Sequence, residues 1–131
     1  MSRTTRVLSF AVSLVAVPFL FSLSASADHL DVIKMTLKDN CTVEQFVTIA
    51  TDFNEQWGKK YGYRSEIAVP VQNNDLVSIF WLGRSAGAEA FGKAWDAWRS
   101  AQTDPKSLAS KLQARFSECS DSESRSGFEL Y

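Results

Sequence analysis

Between Val7 and Leu23 the chain is almost continuously apolar, with Arg3 and Arg6 before this run and Ala25-Ser26-Ala27 after it; beyond that point the pattern changes to short alternations. A charged leader, an apolar stretch and small residues three and one before a cut are the marks of a secretory signal peptide. Cleavage is expected after Ala27, leaving a secreted or periplasmic mature chain of residues 28–131. An uncleaved anchor is the rival reading, since a spanning helix needs about 20 apolar residues, but Ser9, Ser13, Pro18 and Ser22 interrupt the run. The residue directly after the cut is Asp28 rather than a Cys that could carry a lipid, and Arg3 and Arg6 are not adjacent, which favours export of an unfolded chain. No later segment is apolar enough to span a membrane.

From His29 to Lys38, Ile33, Met35 and Leu37 alternate with Lys34, Thr36 and Lys38, the pattern of a strand with one apolar face. Thr42 with Gln45 three residues on is a capping box, so a helix is expected to start there. Its apolar stripe runs through Val43, Phe46, Val47, Ile49, Ala50, Phe53 and Trp57, and Gly58 or Gly62 ends it. Arg64 to Gln72 alternate again, Asn73-Asn74-Asp75 turn the chain, and Leu76 to Leu82 form the most apolar strand of the mature protein. Together these two segments predict a β-hairpin whose second strand is central.

Ala88, Phe91, Trp95 and Trp98 place a second helix over Ser85–Ala101. Asp104 as cap and Pro105 in the first turn predict a third, with Leu108, Leu112 and Phe116 on one face. A polar stretch, 117–126, then leads to a short final strand in Gly-Phe-Glu-Leu-Tyr.

This β-α-β-β-α-α-β order is the split β-α-β pattern with its second helix broken in two: an α+β, ferredoxin-like, four-stranded antiparallel sheet with helices on one face. The element order over residues 29–131, with Phe80-Trp81-Leu82-Gly83 at a strand end before an Ala-rich, Trp-containing helix, resembles the dimeric α+β barrel group, which includes the antibiotic-biosynthesis-type monooxygenases. No invariant catalytic motif of that group is matched. The resemblance implies a homodimer in which two sheets pack face to face, and a cavity or interface on the face away from the helices.

The residues of the central strand point to the same assembly. Val77, Ile79 and Trp81 point one way, and Ser78, Phe80 and Leu82 the other, so both faces carry large apolar groups. One face meets the helices; a partner subunit or a bound apolar molecule is expected on the second.

Charge and cysteine content narrow the class. Once Arg3 and Arg6 leave with the signal, 12 basic residues face 15 acidic ones, a net charge of −3 that argues against a nucleic-acid partner. The first strand ends at the sheet edge where the last begins, which brings Cys41 near Cys119, the only other cysteine. In an exported chain a bond between them is the preferred reading; an intermolecular bond or a reactive thiol are the alternatives.

Candidate chemistry is sparse. If Ile33, Met35 and Leu37 face the helices, then Val32, Lys34 and Thr36 face the barrel beside Ser78 and Phe80, as candidate ligand-binding residues. Lys34, Ser78 and Trp81 are the groups that could carry catalysis. A buried Lys34 would have a lowered pKa, bind an anion or pair with Glu66; its plain role is a lysine at a dimer rim. Tyr61, Tyr63 and Arg64 form a possible polar mouth.

His29 is the single histidine, so neither a triad nor a zinc site can be built on it. Copper binding would require a cut after Ser26, and haem ligation would place the axial ligand beside a free terminus. No metal and no cofactor is therefore expected. The leading functional reading is an exported protein that binds a small apolar or aromatic ligand in the inter-sheet cavity. A cofactor-independent monooxygenase acting on an aromatic substrate is the alternative.

Overall fold

The computed structural model describes residues 28–131; the expected signal peptide and its cut lie outside the described residues. Strand β1 (Asp28–Leu37) leads to helix α1 (Val43–Phe53), whose capping box is formed as expected: Thr42 Oγ1 accepts from the Gln45 amide and Gln45 Oε1 from the Thr42 amide. The helix does not stop at Phe53. It runs through a π-helical turn, Asn54–Gly58, and one further turn, α2 (Lys59–Tyr61), and ends at Gly62, whose φ of 65° favours glycine. Asn54 fastens this turn to the next strand, since its side chain exchanges hydrogen bonds of 2.8 Å with the Ser65 backbone N–H and C=O.

Strands β2 (Arg64–Ala68) and β3 (Ile79–Ser85) follow, then helices α3 (Ala88–Ala101) and α4 (Leu108–Cys119), and β4 (Ser120–Leu130). All pairings are antiparallel and the sheet order is β2-β3-β1-β4. This is the ferredoxin-like α+β arrangement expected from the element order. No helix among the described residues is long and apolar enough to cross a membrane.

Several boundaries differ from the sequence reading, each for a local reason. The β2–β3 hairpin is shorter and its connection longer, because Pro70 brings no N–H to a ladder and Asp75 Oδ1 collects the Val77 and Ser78 amides into a turn. Val71, 91 % exposed, and Val77 lie in this connection rather than in strands. Ser107, not Asp104, caps α4 and accepts from the Ser110 amide, whereas Asp104 closes the turn before it through the Lys106 amide. Val47 faces solvent at 42 % exposure, off the buried stripe of α1.

The largest difference is β4. It pairs with β1 from Asp28↔Leu130 to Leu37↔Ser120 with one bulge, so the polar stretch is strand rather than leader. An edge strand that the helices approach only at the cavity mouth needs no apolar alternation, and its Ser, Asp and Glu residues discourage unwanted pairing.

The core lies between the sheet and the helices. Met35, Ile79 and Trp81 from the sheet meet Phe46, Phe53, Trp57, Ala94, Trp98 and Leu112 from the helices. Phe53 is the hub: its ring lies edge-on to Trp81 at 5.1 Å and to Trp98 at 5.4 Å. Cys41 and Cys119 form a disulfide, with Cα atoms 5.1 Å apart, tying the entry of α1 to the start of β4. On the opposite sheet face, Val32 sits across from Leu82 and Lys34 across from Phe80.

Candidate functional site

A charged residue interrupts the apolar face of β1. Asp31 lies on the same side as Ile33 and Met35 and is only 1 % exposed. Its neighbours across both adjoining strands are glycines, Gly83 on β3 and Gly127 on β4, so the sheet is hollow around its carboxylate. Arg125, across from Ile33 on β4, fills one side of the hollow with a two-pronged bond: Nε to Oδ1 and Nη2 to Oδ2, each 2.7 Å. Tyr63, at the entry to β2, fills the other and donates to Oδ2 at 2.8 Å. A Cβ at position 83 would collide with the Tyr63 hydroxyl, so this approach requires glycine. Trp81 Nε1 in turn donates to the Tyr63 hydroxyl at 2.7 Å.

Trp81, Tyr63, Asp31 and Arg125 thus form one continuous polar chain that runs from the buried core out to the exposed Arg125. The Arg125 guanidinium lies over Trp95, 4.0 Å from the ring centre, and 5.5 Å from that of Phe91. Phe91 also stacks on His29, whose two ring nitrogens are buried without a hydrogen-bond partner among the described residues.

Burial, and next the negative charge of Asp31, push the Tyr63 phenol well above its ordinary range. The folded protein therefore keeps this proton where the unfolded chain releases it, above about pH 10. Stability from Tyr63 is complete below that pH and declines above it, by up to about 1.4 kcal/mol per pH unit. Urea unfolding at pH 8 and pH 11 is expected to show the advantage of wild type over Tyr63→Phe shrinking at the higher pH. An advantage that stays constant would contradict the burial of the neutral phenol.

Above this polar chain the helices leave a cavity of about 430 Å³. Ile33, Met35, Trp81, Tyr63 and Arg125 contribute from the sheet side and Phe53, Trp57, Trp95, Trp98 and Phe116 from the helices. Its exposed lining residues, Gln113, Ser117, Asp121, Ser122 and Arg125, set the mouth where α3 and α4 face β4. Lys38 crosses one end of that mouth, donating to the Ser117 carbonyl at 2.7 Å and pairing with Asp121 at 3.4 Å.

The sequence candidates are distributed between the two sheet faces. Trp81 is in the cavity wall. Val32, Lys34, Thr36 and Phe80 are on the open face, outside this cavity, and Ser78 lies just before β3 with its hydroxyl on Asp75 at 2.6 Å. The cavity that one chain forms by itself is therefore on the helix side; an inter-sheet cavity needs a second subunit.

Lys34 corrects two expectations. Its partners are Glu123 at 2.8 Å and Asp75 at 3.0 Å, not Glu66, which lies beside Arg64 and Arg84. Its pKa is raised rather than lowered, by its hydrogen bonds to Glu123 first and Asp75 second. Of the expected polar mouth only Tyr63 belongs to the site; Tyr61 stacks on Trp57 at 4.3 Å and Arg64 faces solvent.

Asp31 and Arg125 were not singled out in the sequence. Asp31 carried a signal, a charge in phase with Ile33, Met35 and Leu37; Arg125, inside a polar stretch, carried none. Among the described residues no three or more His, Cys, Asp or Glu gather in a way that could hold a metal ion, and His29 is not part of the cavity lining.

No protein-family model and no curated protein matches the chain. Solved structures do. SnoaB, a cofactor-independent oxygenase from Streptomyces nogalater, superposes with a TM-score of 0.53 at 11 % identity, over 81 % of this chain and 95 % of that one. A conserved protein from Methanosarcina mazei gives 0.54 at 15 % identity, over 82 % and 96 %. A protein of unknown function from Bacteroides thetaiotaomicron, described as a possible oxidoreductase, gives 0.53 at 9 % identity, over 81 % and 100 %. At these identities the likeness is one of fold alone: the chain shares with these structures the ferredoxin-like α+β arrangement that its element order and sheet order define.

Proposed function

We propose that the protein is an exported domain that binds a small apolar or aromatic molecule in the cavity between sheet and helices, and that it works as a homodimer joined through the open sheet face. The cavity carries the reading: its volume is in the range of small-molecule sites, and its wall is aromatic with a few convergent polar groups. Tyr63 holds its proton, and Asp31 is engaged by three hydrogen bonds, an arrangement better suited to holding a ligand than to moving protons. The intrachain disulfide supports a destination outside the cytosol.

Support for the dimer comes from Leu30, Val32, Phe80 and Leu82, half-buried on a face no helix covers, and from Phe128, 50 % exposed beside them. Pairing two such faces would create the inter-sheet space that Val32, Lys34, Thr36, Ser78 and Phe80 were expected to line.

A second reading, a cofactor-independent oxygenase acting on an aromatic substrate in the same cavity, is supported by the likeness of fold to SnoaB and by the aromatic wall that includes Trp81. Ligand-dependent oxygen uptake that Trp81→Phe abolishes would promote it over the first.

Native mass spectrometry of the exported protein tests the leading proposal. The expected species is a dimer carrying a small-molecule mass that denaturation releases. A bare monomer that also fails to take up apolar compounds would remove both the dimer and the binding function.

A further inference from the structure

We infer that the cavity selects an uncharged aromatic molecule that presents a hydrogen-bond acceptor, such as a carbonyl oxygen, to the free edge of Arg125; this rests on the ligand-binding reading above. Each cation bordering the cavity already has its carboxylate. Arg125 is clamped to Asp31 by two bonds of 2.7 Å, and Lys38 lies 3.4 Å from Asp121. The deep polar groups are likewise committed: Tyr63 donates to Asp31 and accepts from Trp81, which uses the Trp81 indole N–H.

Unspent capacity remains on Arg125. Nε and one hydrogen of Nη2 serve Asp31, while the Nη1 hydrogens and the second on Nη2 have no acceptor among the described residues. Asp31 behind the guanidinium and Trp95 against its face hold that edge in place, within the cavity lining.

An anion at this edge would meet a guanidinium whose charge is already offset by a carboxylate in hydrogen-bond contact behind it. At this partly exposed edge it would also give up part of its hydration against the aromatic wall, a cost that so weakened an attraction does not repay. A neutral carbonyl gives up far less hydration and still receives a charge-assisted hydrogen bond.

Equilibrium dialysis of the mature protein against three probes with one ring system, 2-acetylnaphthalene, naphthalene and 2-naphthoate, separates the possibilities without a variant. The ketone is expected to bind about tenfold more tightly than either of the others, the scale of one hydrogen bond to a charged group. Arg125→Lys keeps the charge against Asp31 but loses the planar fork, and is expected to bring the ketone-to-naphthalene ratio toward one. If 2-naphthoate binds most tightly, or ketone and naphthalene bind equally to wild type, the inference is overturned while the cavity remains a binding site. If none of the three binds, the ligand-binding reading fails, and the inference with it.

Discussion

Arg125→Met is expected to destabilise the protein by about 3–5 kcal/mol, because it leaves the Asp31 carboxylate buried with Tyr63 as its one remaining partner. Typical domains have only about 5–15 kcal/mol in total, so a large part of the molecule would be unfolded at moderate urea concentrations. The loss would come from stranding a charge rather than from removing an attraction. The pair itself is worth far less, since water solvates both ions well in the unfolded chain. Asp31→Leu combined with Arg125→Met is therefore expected to recover most of the stability while losing the edge that receives a ligand. Urea unfolding of the two single variants and the double gives the coupling directly. A loss below about 1 kcal/mol in Arg125→Met would mean that water reaches Asp31 and that the polar chain is not sealed.

Replacing Cys41 and Cys119 together by serine is the second large change. The bond joins residues separated by 78 positions, and closing a loop of that size restricts the unfolded chain by about 4 kcal/mol in the chain-entropy model. The effect has a structural side as well. Cys119 is the last residue of α4, and β4, which carries Arg125, begins at the next position. Beyond its ladder with β1, β4 has few neighbours, so the disulfide and the Arg125 clamp hold it from two points. The double serine variant is expected to unfold at lower urea and to lose hydrogen-exchange protection first along Ser120–Leu130. Uniform loss of protection across the sheet would show that the bond acts on the unfolded chain alone.

How much of this was legible depended on how local each signal was. The α1 cap, the inward phase of Ile33 and Met35, the tryptophan stripe of α3 and the element order follow from neighbours within a few residues, and the fold came with them. The disulfide followed one step later, from where that order puts two strand ends. Asp31 stood in the apolar phase of β1 as a visible anomaly. Its meaning was not visible, because its partners are 32 and 94 residues away. Most of strand β4 is invisible in the sequence because an edge strand exposed along nearly its whole length has no apolar period to detect; only its ladder to β1 defines it.

By itself the sequence determined the α+β order, the two-sided apolar character of β3 and the net negative charge of residues 28–131, since composition and short-range periodicity carry all three. Tertiary structure decided which face of the sheet holds the cavity, that Gly83 leaves room for Tyr63 to reach Asp31 while Arg125 reaches it from β4, and that Lys34 is ion-paired with Glu123 and Asp75 on the open sheet face. Those facts depend on strand register and on where helices leave a gap. Both are set by packing between residues far apart in the chain, and no local pattern encodes them.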